Sequence, residues 1–102
     1  MHPLIESNRE AIARLCRLHG VRRLDIFGSI LRSDFDPKRS DVDVLVEFEP
    51  QRAASFSNFL DLKESLEKLL RRPVDVLELH AIRNRRLRCH IEKSKSAVYA
   101  AA

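Results

Sequence analysis

The sequence has few of the residues that mark fibrous, disordered or disulfide-stapled proteins. Its 102 residues include two Gly, four Pro, two Cys and no Trp. So little glycine and proline argues against a fibrous repeat and against an intrinsically disordered chain. Cys16 and Cys89 lie far apart, and neither belongs to a C-x-x-C or Cys/His ligand pattern. We therefore expect two ordinary thiols, with no disulfide framework and no zinc motif.

Long apolar runs are missing as well, since no stretch approaches the roughly 20 residues that span a bilayer. The first residues lack the basic start and the apolar stretch of a secretory signal peptide. A chain of this length buries roughly two thirds of its unfolded surface, which supports one hydrophobic core and not two. We expect a cytoplasmic protein without a membrane segment, folded as one domain over residues 1–102. A bilobed enzyme with its own substrate domain is excluded.

The charged residues are unevenly distributed along the chain. The total of 19 Lys+Arg and 15 Asp+Glu gives a net charge of +4. Six acidic and two basic residues lie between Asp34 and Glu49, whereas eight basic and three acidic residues lie between Arg71 and Lys95. The basic part has no interleaved aromatic residues and matches no nucleic-acid recognition module, so nucleic acid is not the expected partner and its binding is a third hypothesis. A solvated helix face is the commoner explanation, and a surface for an acidic protein is the alternative.

Hydrophobic periodicity predicts the order helix, strand, strand, helix, strand, helix. This order predicts an α/β (α+β) fold in which a mixed three- to four-stranded sheet packs with helices. Residues 97–99 are expected to add a short edge strand. The predicted elements are a first helix that starts at Pro3 or at a capping box over Ser7–Glu10 and ends at Gly20, strands Val21–Phe27, Asp41–Phe48 and Val74–Leu79, and helices Phe59–Leu70 and 82–93.

Three aspartates in otherwise apolar strands are candidate metal ligands. Asp41 and Asp43 are two positions apart, so both carboxylates leave the same face of a strand, about 6.7 Å apart at roughly 3.3 Å per residue. Close carboxylates repel each other unless a cation lies between them. Asp75 joins them if its strand lies beside the second strand. Such a group suits Mg²⁺, and two ions of this kind serve in-line displacement at phosphorus, so the predicted substrate is a nucleoside triphosphate.

Candidate phosphate-binding residues surround these aspartates. Gly28 ends the first strand, where glycine lets the backbone approach a phosphate closely, and Ser29 adds an N–H and a hydroxyl. Arg32 would neutralise the leaving phosphates, although an ordinary surface arginine is the competing interpretation. Ser40 directly precedes the aspartates and is assigned to the nucleotide site, with a local cap or turn as the alternative.

The segments Ile26–Asp34 and Ser40–Phe48 resemble the Gly-Ser, spacer, Asp-x-Asp signature of the nucleotidyltransferase superfamily that includes DNA polymerase beta. Within this superfamily, the sequence resembles the minimal nucleotidyltransferases of prokaryotes. Val74–Leu77 falls where this family has its third carboxylate, and the similarity in order and spacing covers nearly the whole chain. It departs from the family pattern at Ile30 and Ser33, where small members commonly have Arg and Gly.

This resemblance implies the minimal nucleotidyltransferase fold and a metal-dependent transfer of AMP from ATP to an acceptor. Asp41 and Asp43 would hold Mg²⁺, as two ions, and the triphosphate, while Asp75 would deprotonate or orient the acceptor hydroxyl. The resemblance also implies an antitoxin that binds a HEPN toxin and transfers AMP to a tyrosine on it. Because the sheet uses the whole chain, a partner or a second copy is expected to complete the site. The alternative is a non-catalytic antitoxin that neutralises its partner by occlusion.

Overall fold

A four-stranded sheet organises the parts of the chain that the computed structural model describes, which are residues 3–28, 41–50 and 56–101. Helices precede, connect and follow its strands, as the hydrophobic pattern predicts. The elements are α1 (Pro3–Glu6), α2 (Arg9–His19), β1 (Val21–Phe27), β2 (Val42–Phe48), α3 (Phe56–Leu70), β3 (Val74–Glu78), a 3₁₀ turn (Leu79–Ala81), α4 (Arg85–Ser94) and β4 (Ser96–Ala100).

The strand order in the sheet is β3-β2-β1-β4, and the sheet is mixed. Strand β1 is antiparallel to both of its neighbours, whereas β2 and β3 are parallel. A parallel pair needs a crossover connection, and α3 provides it. The expected edge strand is confirmed as β4, which lies beside β1. The predicted limits of β1 are correct, while β2 begins one residue later than predicted and β3 ends one residue earlier.

One face of the sheet packs against α1, α2 and α3 and forms the main hydrophobic core. Leu45 and Ile91 are also buried, but they lie outside this core cluster. The core contains the inward residues expected from the helical periodicity and from strand alternation. Its buried members are Ile5, Ile12, Cys16, Val21, Leu24, Ile26, Val42, Val44, Val46, Phe48, Leu62, Leu66, Leu70, Val74, Val76 and Val98.

The first helical region is two helices, and the expected capping box is not formed. The alternative start at Pro3 is correct for α1, and α2 then begins separately at Arg9. The Asn8 side chain makes no capping hydrogen bond to α2; instead its Nδ2 donates to the Leu4 carbonyl at 2.8 Å. The Ser7 hydroxyl donates to the Pro3 carbonyl at 2.8 Å. Both polar side chains therefore complete the end of α1 rather than the start of α2.

The other two long helices differ from their predicted starts by three residues each. Helix α3 begins at Phe56 instead of Phe59. Helix α4 begins at Arg85, because the Asn84 side chain caps it. Asn84 Oδ1 accepts hydrogen bonds from the backbone N–H groups of Arg86 at 3.0 Å and Leu87 at 3.1 Å. No helix in the described ranges is long and apolar enough to cross a membrane.

Candidate active site

Two carboxylates from neighbouring strands lie in register at one end of the sheet. Asp43 of β2 pairs directly with Asp75 of β3. The valines on either side of each aspartate are buried in the core, so both carboxylates project from the opposite face, which we call the site face. The Val42 N–H donates to the Pro73 carbonyl at 3.1 Å and ties the starts of the two strands together. The predicted neighbourhood of the second and third strands is therefore confirmed.

Asp41 is exposed and lies just before β2, two positions from Asp43. Asp43 is half-buried and Asp75 is exposed. Within residues 3–28, 41–50 and 56–101, no three His, Cys, Asp or Glu side chains are close enough together to hold a metal ion. Mg²⁺ commonly takes only one or two carboxylates and completes its shell with water and substrate phosphates. The donor chemistry of the in-register pair fits that mode, and the assignment of all three aspartates as ligands stays a prediction.

Gly28 brings the end of β1 directly under the Asp43 carboxylate. Its φ is +76°, a left-handed conformation that residues with a side chain rarely adopt. A Cβ at this position would overlap Asp43 Oδ2 and lie 3.4 Å from Asp43 Cγ. Glycine is therefore required here for its backbone angle and for the close approach. The glycine and the aspartate that the sequence signature singled out are in contact distance of each other.

Three further residues of the predicted nucleotide site, Ser29, Arg32 and Ser40, lie outside the described residues. Their assignment to phosphate binding stays a prediction. The structure describes the chain on either side of these residues. Strand β1 and Gly28 precede them, and β2 begins at Val42 after them.

Helix α3 holds β3 in place immediately before Asp75. The Lys63 ammonium donates to the Val74 carbonyl at 2.9 Å, and the Val74 N–H donates to Glu67 Oε2 at 3.0 Å. Lys63 Nζ also lies 3.9 Å from Glu67 Oε2, so the two side chains form an ion pair. Because β3 is an edge strand, these side chains satisfy backbone groups that would otherwise face solvent. Sequence reasoning missed this clamp, since a Lys/Glu pair at i,i+4 is ordinarily a surface ion pair.

A buried acid on the site face was also missed. Asp25 of β1 is 2% exposed and pairs with Leu45 across the β1–β2 ladder. The Arg23 Nε lies 3.1 Å from both of its carboxylate oxygens, and the Lys95 ammonium lies 3.4 Å from Oδ2. The available signal was a lone acid inside a largely apolar strand, the same signal that pointed to Asp43 and Asp75.

Comparison with known proteins agrees with this geometry. The family model for the nucleotidyltransferase domain matches residues 9–98. A Methanocaldococcus jannaschii protein, assigned by its name as a protein adenylyltransferase, is 37% identical over 73 residues, covering 72% of each chain. A solved structure assigned as a minimal nucleotidyltransferase has a TM-score of 0.78 at 32% identity, covering 94% of this chain and 95% of the other.

A more distant match shares the fold. It is a chain in the structure of a tri-AMPylated HEPN toxin from Shewanella oneidensis in complex with an MNT antitoxin. The TM-score is 0.70 at 17% identity, and the match covers 95% of this chain and 73% of the other.

Proposed function

Because the chain belongs to the nucleotidyltransferase domain family, we propose that it transfers AMP from ATP to a hydroxyl group of a partner protein. The general activity, nucleotidyl transfer by an enzyme of this family, follows from the family match and from the relatives named for protein adenylylation. The observation that carries the proposal at the level of residues is the in-register pair of Asp43 and Asp75, with Gly28 packed against Asp43.

The proposed reaction is an in-line displacement at the α-phosphorus of ATP. The acceptor oxygen forms a bond to this phosphorus, the bond from the α-phosphorus to the oxygen that bridges to the β-phosphorus breaks, and pyrophosphate leaves. Asp75 accepts or orients the proton of the acceptor hydroxyl, while Asp41 and Asp43 face the triphosphate. Bound Mg²⁺ supplies charge neutralisation on the phosphate oxygens. Positioning and electrostatics suffice, so no covalent intermediate with the protein is required.

The open part of the site face supports an acceptor that comes from another protein. Asp75 and Leu77 are both exposed on edge strand β3. A side chain of a partner can therefore reach the carboxylate from outside without displacing any element of the described chain. Gly28 gives the phosphates an approach to the backbone beside Asp43, and Ser29, Arg32 and Ser40 are the further phosphate contacts that the sequence predicts.

The proposed acceptor is a tyrosine of a HEPN-type toxin, which makes the chain the antitoxin of a toxin–antitoxin pair. Two comparisons support a HEPN-type partner and AMP transfer to a protein, while the choice of tyrosine comes from the family resemblance of the sequence. The fold occurs in a complex whose HEPN toxin is AMPylated, and curated relatives carry the name protein adenylyltransferase. In this proposal the chain acts in the cytoplasm as a single nucleotidyltransferase domain, with the partner protein completing the site.

The test is a transfer assay with ATP labelled on its α-phosphate, Mg²⁺ and the protein encoded by the neighbouring gene, which we expect to be the HEPN-type partner. We expect label on the partner and its loss when the acceptor tyrosine is changed to phenylalanine. Asp43→Asn should lower the rate by about 100-fold or more, because a misplaced triphosphate loses most of the benefit of positioning. Asp61→Asn, the same change at an exposed position of α3, is the control and should leave the rate unchanged.

Two outcomes would overturn the enzymatic proposal: label that never reaches the partner, or full transfer by Asp43→Asn. Protection of cells separates catalysis from occlusion. An antitoxin that acts only by covering its partner still protects cells when Asp41 and Asp43 are both changed to asparagine. An antitoxin that acts by adenylylation does not.

A further inference from the structure

The C-terminal turn of α4 contains one buried apolar residue, and a lysine that is ion-paired to the sheet follows it directly. Ile91 is the only buried residue of this helix, at 1% exposure, and it lies outside the main core. The Lys95 N–H donates to the Ile91 carbonyl at 2.8 Å, and the Lys95 side chain is 15% exposed. A ten-residue helix with a single buried side chain is not stable alone. Its attachment therefore depends on these two residues.

The carboxylate of Asp25 is the group that keeps the Lys95 side chain in this largely buried position. Its ammonium lies 3.4 Å from Asp25 Oδ2, whereas the second acid near it, Glu92, is 3.8 Å away and largely exposed. Arg23, the other cation on Asp25, is 44% exposed and can turn to solvent. A buried ammonium without a buried counter-charge is strongly unfavourable. Loss of the Asp25 carboxylate should therefore move Lys95 outward, together with the last turn of α4.

The position of this ion pair relates α4 to the proposed active site. In the β1–β2 ladder, Asp25 pairs with Leu45, and the next pair on the same face is Phe27 with Asp43. Diagonal neighbours of this kind lie about 7 to 8 Å apart. The site face is thus covered where Asp25 and Leu45 lie and open at Asp75. Because Lys95 follows α4 directly and contacts Asp25, the C-terminal end of this helix reaches the site face one diagonal position away from Asp43.

We propose that Asp25 is a positioning residue which, through Lys95, holds α4 as a wall of the nucleotide site beside Asp43. The proposal rests on the proposed function for the identity of the ligand. Asp25 itself need not touch the nucleotide. Its effect is exerted on the helix that lies next to the bound triphosphate, so it should influence nucleotide binding more than the chemical step.

The test compares Asp25→Asn and Lys95→Met with a matched control, Lys93→Met, which changes an exposed lysine on the same helix. Amide hydrogen exchange is measured for α4 and, as an internal reference, for α2. The KM for ATP and kcat are measured in the transfer assay, and binding of a fluorescent ATP analogue is measured without turnover. Asp25→Asn and Lys95→Met should each accelerate amide exchange in α4 and leave the exchange of α2 unchanged. The KM for ATP should rise about tenfold, with a smaller effect on kcat.

A double variant tests whether the two residues act as one unit. Lys95→Met in the Asp25→Asn background should add little to the change in KM, because coupled residues are not additive. Lys93→Met should behave like the unchanged chain in every measurement. Lys95→Met also guards against misfolding, since it breaks the same pair without altering the interior strand.

The failures of the two proposals are distinguishable. If the unchanged chain transfers AMP but Asp25→Asn and Lys95→Met keep its KM for ATP, the positioning role is wrong and the proposed function stands. If the unchanged chain neither binds ATP nor transfers AMP, the proposed function fails. Equal exchange of α4 in all variants overturns the attachment of this helix by Asp25, whatever the activity.

Discussion

The change of Gly28 to alanine tests the close approach between β1 and Asp43. Alanine at φ +76° adopts a left-handed conformation, and its Cβ would overlap Asp43 Oδ2. Two costs follow, one for the backbone angle and one for the displaced carboxylate. Gly20 offers the control, because it has φ +71°, closes α2 and lies at the opposite end of the same strand. Gly20→Ala therefore carries the backbone cost without touching the site.

The backbone cost is roughly 1–2 kcal/mol for a residue with a side chain in the left-handed region. In a domain of this size, about 1 kcal/mol lowers Tm by roughly 4–8 °C. Both glycine variants should therefore melt several degrees below the unchanged chain. Only Gly28→Ala should also move the carboxylate of Asp43. A shift of about 1 Å in a group that positions substrate lowers the rate by up to 100-fold.

The assay pairs a thermal melt with the AMP transfer reaction, run well below the Tm of both variants. We expect a similar loss of Tm in Gly20→Ala and Gly28→Ala, and a loss of transfer only in Gly28→Ala. Transfer by Gly28→Ala at the rate of the unchanged chain would refute the reasoning. An equal loss in Gly20→Ala would also refute it, because stability alone would then explain the effect.

Other predictions concern the frame around the site. Glu67→Ala removes the acceptor of the Val74 N–H and should cost about 1 kcal/mol in thermal or urea unfolding; an unchanged midpoint would contradict the clamp. Leu66→Ala, in the core, should cost about 2–5 kcal/mol by the same measurement. Burial raises the pKa of the Cys16 thiol from 9.0 to about 12. The unfolded chain therefore loses this proton at a lower pH than the folded chain. The free energy of unfolding should fall as pH rises from 9 to 12, by up to about 1.4 kcal/mol per pH unit. Cys16→Ala should remove that part of the slope, and a thiol reagent should modify Cys89 before Cys16.

Much of the strand framework could be predicted because it depends on local pattern. Alternation in β1 places Leu24 and Ile26 in the core, and Gly20 and Gly28 mark the ends of that strand. The apolar context of Asp43 and Asp75 predicted two neighbouring strands, and these lie in register with their valines buried in the core. For these features, neighbouring residues in the sequence carry the information.

The missed features depend on contacts between distant segments. The burial of Asp25 is explained by Lys95, which arrives from the end of α4. The clamp on Val74 requires α3 to lie along the edge of the sheet. At the first helix, the capping-box prediction failed because Ser7 and the residue after it bond backward to α1. Periodicity does not reveal which of two local partners a polar side chain will choose.

The edge position of β3 makes activity more fragile than the fold. This strand has five residues and, among the strands that the structure describes, hydrogen-bonds to β2 alone, while β1 lies between two antiparallel partners. Local openings of a native protein begin where such support is least. An opening that lifts β3 separates Asp75 from Asp43 and leaves the other three strands paired. Under mild denaturing conditions, molecules with nearly complete secondary structure would already lack the carboxylate pair that we propose for catalysis.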